Sequence, residues 1–396
     1  MGPLENVRVL ELGQLIAGPF CGQYLADFGA EVVKIEPPGR GDPMRQWGST
    51  DENGHTVWWP VIARNKKSLT LDLRTDEGQA VIKQLVGDVD VVIENFRPGT
   101  MERWGLGYDV LSEINPGLIM VRITGFGQDG PYATRAGYAS VCEAMGGMRY
   151  IAGFPDRQPV RMGISIGDTL AGMHGAMGAM MALHERERSG QGQVVDSAIY
   201  ESVMTVMESL VPEYEIAGRV RGRSGSRLEG IAPSNAYPCS DGRDVIIGAN
   251  QDTVFRRLCE VMGQPELADD ARYVDHQSRG RNQDELDNTI AEWTRQLEAD
   301  AVVNRLAEVG VPAGHVYRAP EMLADPHIQA RQSIIRVQDD RIGEMPMQNA
   351  FPRLSRSPGG VEHTGPSLGQ HTEEVLRDWA KLDEAAIRGL AERGVI

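Results

Sequence analysis

Short apolar runs alternate with longer amphipathic stretches in the first third of the chain. The runs at residues 7–13 and 31–36 flank a stretch that has Pro19 near its start and Gly29 at its end. Proline is typical of a first helical turn, and glycine of the position just after a helix. A strand, a helix and a second strand form a βαβ unit, so this pattern predicts a parallel sheet.

Three further apolar runs continue the pattern, at residues 68–73, 89–95 and 118–127, with a predicted helix at 76–88. The first part of the chain is therefore predicted to be α/β, with a doubly wound parallel sheet. No G-x-G-x-x-G motif follows the first strand, which weakens a dinucleotide-binding interpretation.

The rest of the chain indicates a second, smaller domain inserted into the first. An aperiodic loop rich in Gly and Arg at 217–230 precedes a hairpin that turns at Asp241-Gly242. Further predicted elements are a strand at 192–200 and helices at 169–187, 201–214, 251–262, 284–309 and 371–394. We predict a large domain over 1–216, a linker at 217–227, a small α+β domain over 228–325, and a return to the large domain over 326–396.

The amino-acid composition limits the kinds of partner that the protein is expected to bind. The 396 residues carry a formal net charge of −16, which argues against a nucleic-acid or anionic-membrane surface but not against a small polyanionic ligand. The four cysteines are scattered and form no C-x-x-C pair, which favours reduced thiols in the cytoplasm and gives no metal site. No signal-peptide pattern and no long apolar run occurs, so a soluble cytoplasmic protein is expected.

Asp168 precedes the predicted helix at 169–187 and could serve two purposes. Along that helix Leu, Met and His residues recur at three- and four-residue spacing and form an apolar face. The Gly and Ala residues between them let another backbone approach closely, which predicts a buried helix. A carboxylate at a helix start can cap the free backbone N–H groups. It can also act as a nucleophile toward an acyl carbonyl. The residues alone leave both roles open.

Six linked motifs resemble those of the class III CoA-transferases, the family of formyl-CoA transferase, carnitine CoA-transferase and α-methylacyl-CoA racemase. The motifs begin with VRVLELGQLIAGPFCGQYLADFGAEVVKIEPPGRGDPMR and continue through RNKKSLTLDL, VIENFRPGTMERWGLGYDVL, NPGLIMVRITGFGQDGPYATRAGY, GDTLAGMHGAMGAMMALHERERSGQGQVVD and GVPAGHV…DPHI. The resemblance implies a large Rossmann-like domain built from both chain ends, a smaller domain between them, and a homodimer of interlocked subunits. It also implies coenzyme A as the cofactor, carried as a thioester, with no metal.

The resemblance assigns Asp168, in IGDTLAG, as the nucleophile. The implied route runs from an acyl-aspartyl anhydride to an aspartyl-CoA thioester and then to a second anhydride with the acceptor acid. We expect transfer of CoA from an acyl-CoA donor, with succinyl-CoA as a candidate, to a carboxylic acid, with a dicarboxylic acid favoured. Tyr138 is expected near the thioester and Gln14 near the acyl group or CoA. The expected CoA contacts are Arg64, Lys66, Lys67, Leu71, Asn95, Phe96, Arg97, Arg103 and Arg135.

Two alternatives remain at this point. A racemase of this family has a histidine where this chain has Tyr138, and tyrosine is a poor base near neutral pH, so transfer is favoured over racemisation. A CoA-binding protein without catalysis would use Asp168 only as a helix cap. A further hypothesis is that one of the four arginines of the 217–230 loop binds the distal carboxylate of a dicarboxylic substrate. The alternative is that this loop is a solvated linker.

Overall fold

The computed structural model describes residues 2–396 and divides the chain into two compact units. The larger unit contains the residues up to Arg149, Arg161–Leu210 and Ala330–Ile396, and the smaller contains Tyr150–Val160 and Val211–Gln329. Residues 150–160 were expected in the large domain but lie in the smaller unit. Their backbone explains this, because the Gly153 carbonyl accepts a hydrogen bond of 2.9 Å from the Gly225 N–H.

Eleven strands lie within the described residues. The larger unit holds β1 (Arg8–Glu11), β2 (Glu31–Glu36), β3 (Lys66–Thr70), β4 (Val91–Glu94), β5 (Ile119–Thr124) and β6 (Val194–Ala198). These six pair in parallel in the order β3-β2-β1-β4-β5-β6, which confirms the predicted α/β class and parallel sheet. The strand order reverses between β1 and β4, and ligands bind at the carboxyl ends of strands beside such a reversal.

The remaining strands form two small antiparallel sheets. The smaller unit contains β7 (Ser234–Pro238), β8 (Asp244–Gly248) and β9 (Ala313–His315), and the larger unit contains the pair β10 (Ile334–Asp339) and β11 (Gly343–Gln348). The hairpin predicted around Asp241-Gly242 is the β7–β8 connection.

Helices connect these strands along the whole chain. They are α1 (Ala17–Asp27), α2 (Trp59–Ile62), α3 (Asp76–Val86), α4 (Thr100–Arg103), α5 (Tyr108–Ile114), α6 (Ala139–Met145), α7 (Met148–Ile151), α8 (Ile166–Ser189), α9 (Ile199–Met204), α10 (Leu210–Ala217), α11 (Asp252–Val261), α12 (His276–Arg281), α13 (Gln283–Thr294), α14 (Ala299–Glu308), α15 (Ala319–Ala324), α16 (Pro326–Ala330), α17 (Thr372–Asp378) and α18 (Glu384–Glu392). Two 3₁₀ turns occur at Pro43–Gln46 and Pro265–Asp269. Within residues 2–396 no helix combines the length and the apolar character needed to cross a bilayer.

Three predicted helices are each divided in two. Positive φ angles at Glu208 (52°) and Lys381 (56°) separate α9 from α10 and α17 from α18, because an α-helix cannot continue through left-handed backbone. The segment predicted as one helix over 284–309 ends at Thr294 and resumes as α14, where the Asp241 carboxylate accepts from the Ala299 N–H (3.1 Å).

Both faces of the six-stranded sheet are covered. On one face, side chains of the strands pack with α1 and α8. On the other, Leu10, Val33 and Leu69 pack with α3 and with Val375 and Leu376 of α17. The C-terminal helices therefore return to the sheet that the N-terminal residues begin.

The helix α8 buries its small residues instead of its methionines. Gly172, Gly175 and Ala176 are buried, and a Cβ at Gly172 would lie 2.7 Å from the Ala17 carbonyl oxygen. The close backbone approach predicted for the Gly and Ala positions is confirmed, but burial of the whole helix is not, because Met177 and Met181 are 43% and 65% exposed. Without side-chain volume on the Gly/Ala face, α1 and α8 approach closely, and that contact decides which face is buried.

Candidate active site

The loop after β1 is held by the side chain that follows β4. The Gln14 N–H donates to Asn95 Oδ1 and the Asn95 amide donates to the Gln14 carbonyl, both at 2.8 Å. The next residue, Leu15, has a positive φ of 65° and donates its N–H to the Asp42 carboxylate at 3.1 Å. Side chains therefore fix a strained backbone, which is the usual condition for strain to persist at a functional site.

A buried ionic network lies beneath this loop. Lys34 Nζ contacts Glu11 Oε1 at 3.0 Å, Asp42 Oδ2 at 2.8 Å and the Gly13 carbonyl oxygen at 2.7 Å. Lys66 Nζ lies 2.7 Å from the other Glu11 oxygen. All four charged side chains are at most 1% exposed, so their charges balance each other without water.

Asn95→Asp is expected to lower kcat/KM by about 10- to 100-fold, because it replaces the donor to the Gln14 carbonyl by an acceptor and shifts the loop. Asn115→Asp is the matched control. The Asn115 amide donates to the Val86 and Val89 carbonyls, away from this loop, so its loss is expected to lower the melting temperature and leave kinetics unchanged. Equal kinetic constants for Asn95→Asp and wild type would show that the Asn95 bonds do not position the loop.

A cavity of about 620 Å³ opens at the carboxyl ends of the central strands. The loops after β1 and β4 and the end of β5 form one side of it, and Tyr138, Arg161 and Asp168 line it as well. Its lining combines apolar, aromatic and charged side chains, as small-molecule sites do. Asp168, Tyr138, Gln14, Asn95, Phe96, Arg97 and Arg135, all singled out from the sequence, meet in this cavity.

Asp168 is the third residue of α8, which begins at Ile166 with Ser165 at the N-cap position. The helix therefore begins three residues before its predicted start at 169, and Asp168 lies in its first turn instead of at the cap position. Within the described residues no group hydrogen-bonds to the Asp168 carboxylate, and the side chain is half-buried in the cavity wall. A carboxylate that is not engaged as a cap is free to react.

Burial raises the pKa of the Asp168 carboxyl from 3.8 to about 6, the nearby Glu143 carboxylate raises this pKa further, and the Arg161 guanidinium opposes the rise. The helix start was expected to favour the ionised form, but desolvation outweighs it. Glu143 is fully buried; its carboxylate pairs with Arg149 (3.0 Å) and accepts from the Gly167 N–H (3.4 Å).

Activity is expected to fall as the pH drops below about 6, because only the ionised Asp168 carboxylate is nucleophilic. The acid limb of log(kcat/KM) against pH reports this pKa. Glu143→Gln removes the neighbouring negative charge, so its acid limb is expected at lower pH than that of wild type. An acid limb that does not move, or that moves upward, would contradict the electrostatic contribution of Glu143.

Tyr138 and Trp47 form exposed aromatic parts of the cavity wall. Tyr138 occupies the N-cap position of α6 and is 70% exposed, and Trp47 is 45% exposed. Trp47, Ser165 and Arg161 were missed by sequence reasoning. They lie in aperiodic stretches, so only the fold brings them to Asp168.

A smaller cavity of about 200 Å³ lies beside the first at the ends of β1, β2 and β3. The two cavities share Gln14 and Phe96. The Phe96 ring meets Trp104 edge to face at 5.1 Å, and Leu71 forms another part of the apolar wall. Arg40 also lines it, and Arg74 does so while pairing with Asp72 at 2.8 Å.

Four predicted CoA contacts lie outside both cavities, and three of them are paired with carboxylates. Arg64 is 3% exposed and pairs with Asp27 through two nitrogens, at 3.0 and 2.5 Å. Lys66 belongs to the buried network, and Lys67 bridges Glu31 and Glu374 at 2.6 Å each. Arg64 and Lys66 are buried in their ion pairs, so phosphate contact is not expected there; Lys67 is 28% exposed, and its phosphate contact stays a prediction. The fourth, Arg103, is exposed beside the loop after β4 and donates to Thr100.

The arginines of the 217–230 loop also have partners. Arg219 pairs with Glu229 at 3.0 Å, Arg221 with Glu213 and Arg227 with Asp284. Arg223 donates to the carbonyl oxygens of Tyr150 (3.1 Å) and Phe154 (3.2 Å). These contacts attach the loop to its own unit.

Comparison with known proteins places this site in a family. The model of CoA-transferase family III matches residues 4–372. The chain is 60% identical to the succinyl-CoA–D-citramalate CoA-transferase of Chloroflexus aurantiacus, over 100% of this chain and 98% of that protein. It is 41% identical to the alpha subunit of a succinyl-CoA–L-malate CoA-transferase of Chloroflexus aurantiacus, over 100% and 92%.

A solved structure gives the same family assignment. The crystal structure of a CAIB/BAIF family protein from Brucella suis superposes with a TM-score of 0.85 at 35% identity, covering 96% of this chain and 99% of that one. Family model, relatives and fold agree over nearly the whole length. The chain belongs to CoA-transferase family III.

Proposed function

We propose that this CoA-transferase moves CoA from succinyl-CoA to a 2-hydroxy derivative of succinate, with D-citramalate as the first candidate. The observation that carries the proposal is the free, half-buried Asp168 carboxylate in a cavity of sufficient size for an acyl thioester. The two relatives named above support the choice of acids, since citramalate and malate are both 2-hydroxy derivatives of succinate.

CoA is proposed to lie across both cavities. The adenine occupies the smaller one, against Leu71 and the Phe96–Trp104 pair, since apolar walls and aromatic edges suit a heterocycle. Arg97 on the loop after β4 and Arg103 at the end of α4 are exposed, where they can meet phosphates; Arg135 lines the wall with Tyr138. The pantetheine arm then passes Gln14 and Asn95, which places the thioester beside Asp168.

Asp168 acts as the covalent carrier. Its carboxylate attacks the thioester carbonyl, the C–S bond breaks, and CoA thiolate leaves behind a succinyl-aspartyl anhydride. The thiolate attacks the aspartyl carbonyl and expels succinate, which leaves an aspartyl-CoA thioester. The acceptor carboxylate attacks that thioester and releases thiolate again, and the thiolate takes the acceptor acyl group and frees Asp168. No step consumes water.

Neutral hydrogen-bond donors in the cavity wall stabilise the tetrahedral intermediates. The Tyr138 hydroxyl and the Gln14 side-chain amide lie there and can donate to a developing oxyanion. Among the described residues that line the cavity there is no histidine, which favours transfer over a two-base racemisation.

The chain is further proposed to act in the cytoplasm as an interlocked homodimer. The methionines on the outer face of α8 support the pairing, because Met177, Met180 and Met181 are between 39% and 65% exposed. Apolar faces of this kind usually meet another protein surface. Light scattering on the purified protein tests this: a mass of twice 43.4 kDa is expected, and a monomer would contradict it.

The proposed reaction is tested by separating thioesters after incubation of the enzyme with succinyl-CoA and one acid at a time. D-citramalate and L-malate are expected to accept CoA with release of succinate in equal amount. Acetate and butyrate are the control acceptors and are expected to be poor. Transfer to neither hydroxy acid would refute the proposed substrates.

A further inference from the structure

The proposed function leaves one charge without a partner. Succinyl-CoA has a free carboxylate three C–C bonds from its thioester carbon, about 4 Å away. That carboxylate enters the half-buried surroundings of Asp168, and a desolvated anion requires a cation or several donors. Specificity for dicarboxylic acids therefore depends on a positive group close to Asp168.

Arg161 meets this requirement. It lines the cavity with Asp168, and the described residues include no carboxylate paired with it. Its charge acts on Asp168, since it lowers the pKa of that carboxyl. Within residues 2–396 Arg161 makes one hydrogen bond, from Nη2 to Ser165 Oγ at 3.1 Å, which leaves most of its donors free.

Ser165 adds a second donor in the right place. It stands at the N-cap of α8, but its side chain makes no capping bond, so its hydroxyl proton is free while its oxygen accepts from Arg161. Ser165 and Asp168 are three residues apart, and such neighbours on one helix face have Cβ atoms about 5–6 Å apart. This spacing suits an acid whose two carboxyl carbons are about 4 Å apart.

The other arginines are less suited. Arg135 lies over the Tyr132 ring at 3.6 Å, and Arg97 stands beside Phe96, which also belongs to the smaller cavity. Arg219, Arg221 and Arg227 pair with carboxylates of their own unit, and Arg223 with carbonyl oxygens.

We propose, on the basis of the proposed function, that Arg161 and the Ser165 hydroxyl bind the distal carboxylate of the substrates built on the succinate skeleton and so determine specificity. Donor and acceptor share the skeleton of succinate. Each in turn joins its reacting carboxyl group to Asp168, so a single anchor serves both half-reactions.

The test compares succinyl-CoA with butyryl-CoA, which has a methyl group in place of the distal carboxylate. In ping-pong kinetics the donor's kcat/KM reports only the first half-reaction, so the acceptor does not enter the comparison. Arg161→Gln is expected to lower kcat/KM about 100-fold for succinyl-CoA and less than about 3-fold for butyryl-CoA. Any change in the Asp168 pKa affects both donors alike and cancels in the ratio.

A second measurement does not depend on turnover of butyryl-CoA. The inhibition constant of succinate as a product inhibitor is expected to rise at least about 30-fold in Arg161→Gln, with partial recovery in Arg161→Lys. Arg157→Gln is the control: Arg157 is an exposed arginine of residues 150–160, outside the cavity, and its variant is expected to match wild type.

The assignment of Arg161 would be overturned if the ratio of the kcat/KM values for succinyl-CoA and butyryl-CoA and the inhibition constant of succinate were both unchanged in Arg161→Gln. An equal fall for both thioesters would also overturn it, because it would show that Arg161 acts on CoA or Asp168. Failure of the proposed function is distinguishable, since in that case wild type itself would not transfer CoA from succinyl-CoA.

Discussion

Asp168→Asn is expected to lower the rate of CoA transfer by at least about 10⁴-fold, since the amide cannot form an anhydride. The fold is expected to survive. Burial raises the pKa of this carboxyl to about 6, so its favourable contribution to stability is present below pH 3.8 and is lost as the pH rises through 6. At pH 7.5 the neutral amide therefore unfolds at a temperature at least as high as wild type does.

Steady-state transfer and thermal melting, measured on the same preparation, check both parts of this prediction. Asp156→Asn is the matched control, because Asp156 is an exposed acid outside the cavity, and it is expected to keep full activity. Residual activity of Asp168→Asn above about one hundredth of wild type would remove Asp168 as the nucleophile. It would leave the CoA-binding role of the cavity intact.

Glu11→Gln is expected to lower the free energy of unfolding by about 3–5 kcal/mol. Glu11 is fully buried and neutralises Lys34 and Lys66, which are also buried. Asp42 remains beside Lys34, but Lys66 loses its charged partner. Desolvation already lowers the pKa of Lys66, so this lysine is the group that releases its proton in the variant.

Urea unfolding of Glu11→Gln and Glu31→Gln provides the comparison. Glu31 is 36% exposed and pairs with Lys67 at 2.6 Å, so its loss is expected to cost about 1 kcal/mol or less. Similar losses for both variants would show that the buried network contributes no more than a surface pair. The Glu11 variant is also expected to lose activity, because Lys34 holds the Gly13 carbonyl next to Gln14.

The parallel sheet could be predicted because its strands are buried on both faces and therefore appear as unbroken apolar runs. The C-terminal return and the family motifs around Asp168 were also apparent from the sequence. The sequence could not show whether Arg64 and Lys66 bind phosphate or form buried ion pairs, since a buried ion pair and an anion site use the same residue types. The acidic partners, Asp27 and Glu11, are brought close only by the fold.

The packing of α8 and the position of Arg161 were beyond the sequence for related reasons. The Gly and Ala positions indicated a close backbone approach, but periodicity did not show that they would be buried while the methionines of the same helix stay exposed. Arg161 belongs to an aperiodic stretch that contributes no helix or strand signal. Only the start of α8 at Ile166 brings Arg161 and Ser165 to the carboxylate of Asp168.

The central claim is that Asp168 becomes covalently acylated, and peptide mass spectrometry tests it most directly. Wild-type protein and Asp168→Ala are incubated with succinyl-CoA, treated with hydroxylamine, digested and compared. We expect an aspartyl hydroxamate on the wild-type peptide that contains Asp168 and none in the variant. A hydroxamate at another residue, or none with succinyl-CoA that the enzyme demonstrably turns over, would contradict the covalent role of Asp168.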